Sequence, residues 1–371
     1  MAVTRAYLDH ASTSPARPDV VEAMLPWLTG AGDPGRVHTE GHLARAAIER
    51  AREQVAAPVG ARAREVVFTS GATEAIATAV WGAAGRGPHQ VVTAVEHSAV
   101  RDAAARHDVT TVPVDGLGRV DPDAVAAAIR PGETAAVHVQ FGNHEVGTLQ
   151  PLDDVIAACR ERDANVLIHV DAAAAVGNTP VTFGGADLMS VSAHKFGGPQ
   201  GVGALLVRRG LRLRPLLVGG EQERSRRAGM ENVAGIVGFG AAAAAADPHQ
   251  AASHARQLTE RALAAALAVE GVTAYGDTHN RLPHIVCLGV AGVEAEAVLL
   301  ALDQAGVAVH SGSACSSESL EPSPVLEAMG LEAERSLRIS TGWSTTDDDI
   351  AAFATAFPAV VARLRLLAQH G

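Results

Sequence analysis

Short apolar runs alternate with longer segments of helical periodicity between residues 65 and 207. The apolar runs predict seven strands, at residues 66–68, 91–93, 112–114, 136–139, 166–170, 188–191 and 203–207. Strands that alternate with helices are typical of an α/β fold, in which a mainly parallel sheet carries helices on both faces. We therefore predict one large α/β domain in this part of the chain.

The pattern changes on either side of this region. Two helices are predicted before it, at residues 15–30 and 40–57. Beyond Asp247 the pattern predicts a long helix, a strand, a helix, a strand and a last helix; the four later elements lie at residues 285–288, 294–304, 307–309 and from Thr346 onward. This mixture predicts a second, smaller α+β domain.

Composition limits the classes of protein that fit. The chain has 371 residues, 47% of them hydrophobic, which is enough for two cores. A net charge of -11 without a basic cluster argues against nucleic acid as the main partner. The three cysteines are widely spaced and odd in number, which indicates a reducing compartment rather than a disulfide framework or a zinc site. Residues 1–10 lack the apolar stretch of a signal peptide, and we expect no bilayer-spanning segment and no membrane partner, so the predicted location is the cytoplasm.

Lys195 lies in a turn, Ser192-Ala193-His194-Lys195, between two apolar strands. An ammonium group placed there loses hydration, which lowers its pKa and makes it an amine that can bind an aldehyde cofactor. A lysine that extends from a strand end into solvent would give the same local pattern. The residues of this turn alone are compatible with both interpretations.

Asp171 favours the cofactor interpretation. It follows the apolar run at residues 166–170, and in open α/β sheets ligands bind at the carboxyl ends of the strands. A carboxylate there can pair with a pyridinium nitrogen and keep the ring an electron sink, which is the usual protein contribution to pyridoxal phosphate chemistry. Asp171 followed by the Lys195 turn is therefore a more specific signal than either part alone.

Ser70-Gly71-Ala72-Thr73 joins a predicted strand to a predicted helix. The N–H groups and the positive dipole end at a helix start suit a phosphate dianion, and Thr73 adds a hydroxyl group. A simple capping turn is the alternative for this segment.

Cys315 lies in a run of small polar residues, 311–319. A thiol in such a loop can meet both a cofactor adduct and an outside acceptor. A buried structural cysteine is the usual alternative, and it suits Cys159, in a predicted helix, and Cys287, in an apolar strand.

His38 and His42 are four residues apart, which is one spacing that metal ligands use. A loop interrupts the predicted helix at this point, and no third ligand is evident in the sequence. We therefore predict no metal site.

These stretches and several others resemble the NifS-like cysteine desulfurases, within the class V aminotransferase group of fold type I pyridoxal phosphate enzymes. The resemblance covers nearly the whole chain, in the family's order. It is carried by Tyr7-Leu8-Asp9-His10-Ala11, Phe68-Thr69-Ser70-Gly71-Ala72-Thr73-Glu74, Glu96-His97, Glu145-Val146-Gly147, His169-Val170-Asp171-Ala172, Ser192-Ala193-His194-Lys195, Gly219-Gly220-Glu221-Gln222-Glu223-Arg224 and Ser311-Gly312-Ser313-Ala314-Cys315-Ser316-Ser317. It implies a large cofactor-binding domain at residues 16–247 and a discontinuous small domain, residues 1–15 and 248–371, that carries the cysteine loop.

The resemblance implies pyridoxal phosphate-dependent removal of sulfur from L-cysteine. Lys195 would hold the cofactor and move the α-proton, and Cys315 would take the sulfur as a persulfide and leave L-alanine. Arg338 matches the arginine that binds the substrate carboxylate, for which a surface ion pair is the alternative role. Lys195, Cys315 and His97 are thus the catalytic candidates.

The resemblance also implies a set of cofactor contacts. Ala72, Thr73, Ser192 and His194 would contact the phosphate. Asp171 would pair with the ring nitrogen, His97 would stack on the ring face, and Lys195 would bind the aldehyde carbon.

Several positions depart from the family's usual pattern. Asn143-His144-Glu145 stands where Asn-Asn-Glu is usual, and Ala174 stands where a glutamine usually bonds the cofactor's phenolic oxygen. Met230 stands where a threonine usually serves the phosphate across the dimer, and Asp33 replaces a common asparagine. We hypothesise that His144 replaces both missing amides as a single donor to the phenolic oxygen.

The resemblance further implies a homodimer and a sulfur-acceptor protein. Because the chain stops soon after its last predicted helix, a thiolation enzyme for tRNA or a natural product is expected at least as much as an iron-sulfur scaffold. The altered residues leave two other functions open: a related pyridoxal phosphate-dependent lyase or aminotransferase with a different substrate, and a catalytically weak partner subunit.

Overall fold

The computed structural model describes residues 5–311 and 322–370. Seven strands form its largest sheet: β2 (Val66–Thr69), β3 (His89–Thr93), β4 (Asp108–Val112), β5 (Thr134–Gln140), β6 (Leu167–Asp171), β7 (Leu188–Ser192) and β8 (Gly203–Val207). Their order across the sheet is β2-β8-β7-β6-β5-β3-β4. The five strands β3 to β7 are parallel to one another. At one side of the sheet β8 pairs antiparallel with β7, and β2 pairs antiparallel with β8. The predicted α/β class, with a mainly parallel sheet, is confirmed.

The central strands are buried along their whole length, as expected for a parallel sheet covered on both faces. Helices cover the two faces. They are α1 (Pro18–Thr29), α2 (Thr39–Ala56), α3 (Ala72–Ala83), α4 (Ser98–Ala104), α5 (Pro122–Ala128), α6 (Leu152–Arg162), the single turn α7 (Gln222–Ser225) and α8 (Val233–Ala245). The largest hydrophobic core of the described chain lies between this sheet and these helices.

Strand β4 corrects the prediction of a strand at residues 112–114. The strand ends at Val112, because Pro113 has no N–H group to donate to a neighbouring strand. β4 pairs only with β3 at the edge of the sheet, and much of its length is exposed. Because these residues are exposed, the sequence of β4 has only a weak apolar pattern.

The later part of the chain forms a four-stranded sheet of order β12-β13-β10-β9. The elements of this part are α9 (Pro248–Leu267), β9 (Val272–Tyr275), β10 (Ile285–Val290), α10 (Ala295–Gln304), β11 (Val307–Ala308), β12 (His310–Ser311), α11 (Pro324–Ala328), β13 (Ser336–Ser340) and α12 (Asp347–His370). The first strand, β1 (Ala6–Tyr7), pairs parallel with β11, and the N–H of Leu8 donates to the carbonyl of Ala308 (2.8 Å). The amino terminus therefore packs in the second core, while the predicted domain boundaries stay a prediction.

Helix α12 corrects one expectation from composition. By length and hydropathy alone, its residues 347–369 could cross a membrane, although no such segment was expected. Ile350, Phe353, Phe357 and Val361 line one side of the helix and are buried in the second core. That packing is typical of the core helix of a folded domain.

Candidate active site

A cavity of about 580 Å³ opens at the carboxyl ends of β5, β6 and β7. Gln140, Asp171 and Ser192, the last residues of these strands, all line it. Residues 11–13 and Arg338 line it as well, so the amino-terminal segment and the second sheet also contribute. The cavity lies where the order of the parallel strands brings distant parts of the sequence together.

Asp171 supplies a buried carboxylate to this cavity. Burial raises the pKa of Asp171, while the N–H of Ala173, which donates to its Oδ1 (3.1 Å), and the nearby His144 and Lys195 act to lower it. A carboxylate in these surroundings gains from a cationic hydrogen-bond donor. A protonated pyridine nitrogen is such a donor.

Lys195 ends a single helical turn, Ala193–Lys195, directly after β7. Its Nζ donates to the carbonyl oxygens of Ala11 (2.6 Å) and Ser12 (3.0 Å) and lines the cavity. The Nδ2 of Asn178 holds the turn by donating to the Lys195 carbonyl (3.2 Å). The lysine is thus directed into the cavity and not into solvent.

The start of α3 faces the same cavity. Ser70, Gly71, Ala72 and Thr73 all line it, and Ala72 is the first residue of the helix. Strand β8 comes so close to this turn that a Cβ on Gly203 would lie 2.7 Å from the carbonyl carbon of Gly71. Only glycine permits that approach, which brings the helix start beside the Lys195 turn.

Ser192 places in the cavity a hydroxyl group that a bound ligand could satisfy. Its Oγ is buried and, within the described residues, makes no hydrogen bond. An orphan hydroxyl is costly unless a bound group satisfies it. It lines the cavity together with the α3 start, and both donor types suit a phosphate.

His194 also faces the cavity, and its Nδ1 lies 3.2 Å from Thr13 Oγ1. Burial, followed by the charge of Lys195, lowers the pKa of His194 to about 4. The ring is therefore neutral at pH 7 and can offer one N–H to an anion.

Two histidines stand side by side on another part of the wall. The ring centroids of His97 and His144 are 4.8 Å apart, at an interplanar angle of 58°. The Nδ1 of His97 accepts the N–H of Ala99 (3.1 Å), and the Nε2 of His144 lies 3.5 Å from Glu145 Oε1. Burial, then His144, lowers the pKa of His97 to about 3, so His97 is neutral.

Arg338 reaches the cavity from β13 and is 4% exposed. Its Nη1 donates to the carbonyl of His144 (2.9 Å), and its Nη2 donates to Asp9 Oδ1 (2.9 Å) and Ser12 Oγ (2.7 Å). Its buried Nε has no hydrogen-bond partner in the part of the chain that the structure describes. This burial argues against the alternative of a surface ion pair.

The structure adds residues to which the sequence analysis assigned no role. Ser12 and Thr13 line the cavity, and Asp9 orients Arg338. His310, from β12, lines it too, and burial followed by Arg338 lowers the pKa of His310 to about 4. The quoted stretch Tyr7-Leu8-Asp9-His10-Ala11 was the available signal for the amino-terminal group; His310 had none.

The positions that depart from the family pattern lie in different places. His144 and Ala174 both line the cavity, whereas Met230 is 65% exposed beside a smaller pocket. Asp33 Oδ1 accepts the N–H of Gly35 (2.8 Å) in an exposed turn. Within one chain, only His144 and Ala174 lie where they can act directly on a ligand in this cavity.

Two of the three cysteines are buried, as the sequence predicts. Cys159 and Cys287 are buried, and burial raises the pKa of Cys159 to about 11 and that of Cys287 to about 12. They are structural thiols, since a thiolate is the reactive form. Cys315 lies outside the described residues.

Comparisons with known proteins agree with one another. The family model described as Aminotransferase class-V matches residues 6–353. The chain is 40% identical over 383 residues to the cysteine desulfurase IscS of Dictyoglomus turgidum, covering 98% of this chain and 96% of the relative. It is 41% identical to the putative cysteine desulfurase IscS 1 of Bacillus subtilis, covering 97% and 99%.

Solved structures give the same result. A structure titled NIFS-LIKE PROTEIN superposes with a TM-score of 0.91 at 30% identity and covers 97% of this chain and 100% of that one. A structure titled SspA in complex with cysteine has a TM-score of 0.78 at 30% identity and covers 90% and 98%. The similarity therefore extends over both sheets.

Proposed function

The chain belongs to the class V aminotransferase family and is a cysteine desulfurase, and from that premise we propose how its own residues carry out the reaction. The observation that carries the proposal is one cavity lined by Asp171, Lys195 and the unsatisfied Ser192 hydroxyl.

Pyridoxal phosphate fits this donor set. Asp171 would pair with its ring nitrogen and Lys195 would bind its aldehyde carbon. The phosphate would lie at the α3 start, against Ala72, Thr73, Ser192 and His194, and His97 would lie on the ring face. When bound, the cofactor supplies an electron sink for the negative charge that develops at the α-carbon of the amino acid.

Two side chains of the cavity, Arg338 and Lys195, would act on L-cysteine itself, and His97 would lie against the cofactor ring. Arg338 would bind its carboxylate, with the Nε group that has no partner among the described residues. Lys195 would move the α-proton, and the carbonyls of Ala11 and Ser12 would receive its amine when it is released. His97 is neutral, so it would pack against the ring without adding charge.

Cys315 would take the sulfur. The Cβ–S bond of L-cysteine breaks, a bond forms between that sulfur and Sγ of Cys315, and the proton of the Cys315 thiol ends on the methyl group of L-alanine. Atoms and electrons balance without an outside oxidant or reductant.

His144 would also contact the cofactor. We retain the hypothesis that it takes the place of two amide donors at the phenolic oxygen, which is supported by the presence of both His144 and Ala174 in the cavity wall. An unchanged absorbance spectrum and pH dependence of the bound cofactor in His144→Asn would refute this role.

We further propose that the enzyme is a cytoplasmic homodimer that passes sulfur to an acceptor protein, either a thiolation enzyme or an iron-sulfur scaffold. The acidic net charge and the three cysteines without a disulfide framework support the location. Family membership supports the dimer and the acceptor.

The test is intact mass spectrometry after L-cysteine is added to the holoenzyme without reductant. We expect the parent protein and Cys159→Ala to gain sulfur, and Cys315→Ala to gain none while still binding cofactor. If the cofactor-loaded parent gains no sulfur and releases no alanine, the proposed reaction is wrong. The altered cavity residues His144 and Ala174 would then indicate a different amino-acid substrate.

A further inference from the structure

A histidine and a carboxylate adjoin in the wall of the cavity. Nε2 of His144 lies 3.5 Å from Oε1 of Glu145, and the His144 ring lines the cavity while Glu145 is buried. The opposite ring nitrogen, Nδ1, forms no hydrogen bond to any residue in ranges 5–311 and 322–370. The ring can therefore face the carboxylate on one side and a ligand on the other.

The turn after β5 fixes this geometry. The side-chain oxygen of Asn143 accepts the N–H groups of Glu145 and Val146 (2.8 Å each), and its Nδ2 donates to the carbonyl of Val95 (3.2 Å). Val95 lies two residues before His97, so Asn143 also ties the two histidine-bearing segments together. Backbone hydrogen bonds therefore fix the positions of His144 and Glu145.

Glu145 is held as an anion. Burial acts to raise the pKa of Glu145, but the hydrogen bond and charge of His144, the hydroxyl of Ser323 and the charge of Arg338 outweigh it, and the pKa is lowered. Ser323 Oγ donates to Oε2 at 2.6 Å. A carboxylate fixed in this way orients the adjacent imidazole.

The neighbouring ring cannot take that proton. Burial, then His144, lowers the pKa of His97 to about 3, and the His97 Nδ1 already accepts a backbone N–H. The remaining charged or titratable groups of the wall are Asp171, His194, Lys195, His310, Arg338 and Glu74. Of the two adjacent rings, only His144 faces a carboxylate.

We propose that His144, oriented by Glu145, is a catalytic acid and base of this enzyme. It donates a proton to the carbon from which the sulfur leaves and regains one that originates from the thiol that attacks the sulfur. The net proton path is from that thiol to the methyl group of alanine. The proposal rests on the proposed desulfurase function and adds a proton carrier to it; while Nδ1 of His144 delivers this proton, it does not bond the phenolic oxygen.

The test compares three variants of the holoenzyme. His144→Asn keeps an amide donor but cannot carry a proton, so we expect alanine formation to fall about 100-fold, with cofactor still bound. The pH profile of kcat should lose one ionisation. Glu145→Gln leaves the ring without its orienting carboxylate, so it should also lower alanine formation, but by less than His144→Asn. His310→Asn, a matched histidine on the same wall, should retain the ionisation.

A second readout does not depend on turnover. In the cofactor-free protein, ¹⁵N NMR of the histidine rings should show one ring signal that is absent in His144→Asn and whose chemical shift changes in Glu145→Gln, because Nε2 loses its carboxylate neighbour. An unchanged pH profile in His144→Asn, or a ring chemical shift that Glu145→Gln does not move, would overturn the proposal. Failure of the desulfurase function is separate, because it would appear as absent persulfide and alanine in the parent protein.

Discussion

Two pairs of histidines in this molecule have nearly the same ring separation and opposite surroundings. The rings of His138 and His169 lie 5.1 Å apart inside the seven-stranded sheet, and those of His97 and His144 lie 4.8 Å apart at the cavity. Among the described residues, the hydrogen-bond partners of the sheet pair include no carboxylate, whereas His144 faces Glu145. Ring separation is thus nearly equal in the two pairs, and what distinguishes the second pair is a carboxylate neighbour and access to a cavity.

The sheet pair belongs to a closed hydrogen-bond chain. His138 Nε2 donates to Gln90 Oε1 (2.7 Å), His169 and His138 join through their Nδ1 atoms (2.9 Å), and Ser190 Oγ donates to His169 Nε2 (2.8 Å). The direction of the chain is set because Gln90 Nε2 donates to the carbonyl of Val80 (3.2 Å). Every polar group is used once, so both rings are neutral and serve the packing of four adjacent strands.

Opening a similar pair to a cavity and adding a carboxylate changes its chemistry. His97 uses Nδ1 to accept a backbone N–H, and the two sheet histidines use theirs to bond each other, whereas His144 combines an anionic partner with a ring edge at the cavity. Histidine frequency or spacing in the sequence would not separate these two cases.

The largest expected effect comes from opening the closed chain. His169→Leu leaves His138 and Ser190 without their partner in the protein interior, and we expect the free energy of unfolding to fall by about 2–5 kcal/mol. Urea denaturation at pH 7 measures it, with His249→Leu, an exposed histidine of α9, as the control. Equal loss of stability in the two variants would show that the buried chain contributes nothing of its own.

The pH dependence of stability tests the same chain without mutation. Burial lowers the pKa of His138 to about 3 and that of His169 well below its usual value. The unfolded chain therefore binds more protons below about pH 6.5, so this stability is complete above that pH and is lost as the pH falls toward 3. Each ring should contribute about 1.4 kcal/mol per pH unit in that window.

Denaturation at pH 7, 6 and 5 would measure this slope. The double variant His138→Leu/His169→Leu should have a shallower slope than the parent, while the other buried histidines, such as His284, keep it above zero. If the free energy of unfolding of the double variant fell with pH as steeply as that of the parent, His138 and His169 would not be neutral in the folded sheet.

A smaller effect is expected at Arg338, which holds the backbone of His144 at the cavity. Arg338 Nη1 holds the backbone carbonyl of His144, and Arg338→Lys keeps the charge but loses the planar fork. We expect KM for L-cysteine to rise about tenfold, which corresponds to about 1.4 kcal/mol. Steady-state alanine formation measures it; an unchanged KM would remove Arg338 from substrate binding.

The smallest effect is expected at Ser323, which contacts Glu145 on the side away from His144. Ser323→Ala removes the hydroxyl that donates to Glu145 and caps α11, and should cost about 1 kcal/mol of stability. The ¹⁵N chemical shift of the His144 ring should change less than in Glu145→Gln. Thermal unfolding measures the loss of stability and ring NMR measures the chemical shift, with the buried Ser336→Ala as the control for both. A larger shift than in Glu145→Gln would contradict the order of these contacts.

Local pattern determined most of the fold. The strand predicted at residues 203–207 has the observed bounds, because uninterrupted apolar runs between turns allow one buried strand. The edge strand β4 was predicted two to four residues too late, at 112–114 instead of Asp108–Val112, since its exposed threonines carry no apolar signal. Strand β9 was missed for the same reason, as only its first residue is buried.

The sequence by itself determined which residues end the strands and bear the chemistry: Asp171 after one apolar run, Lys195 after the next, and a glycine turn before a helix. Those are local properties, since strand ends and helix starts follow from hydrophobic period and turn residues within a few positions.

Tertiary structure alone decided that His97 would meet His144, that Glu145 would reach Ser323, and that Asp9 would orient Arg338 from the other end of the chain. These contacts join segments up to 329 residues apart, and they depend on strand order and on the packing of two sheets. The physical reason is that a side chain's partner, and with it the state of its proton, is set by distance and burial in space, which no local pattern in the sequence encodes.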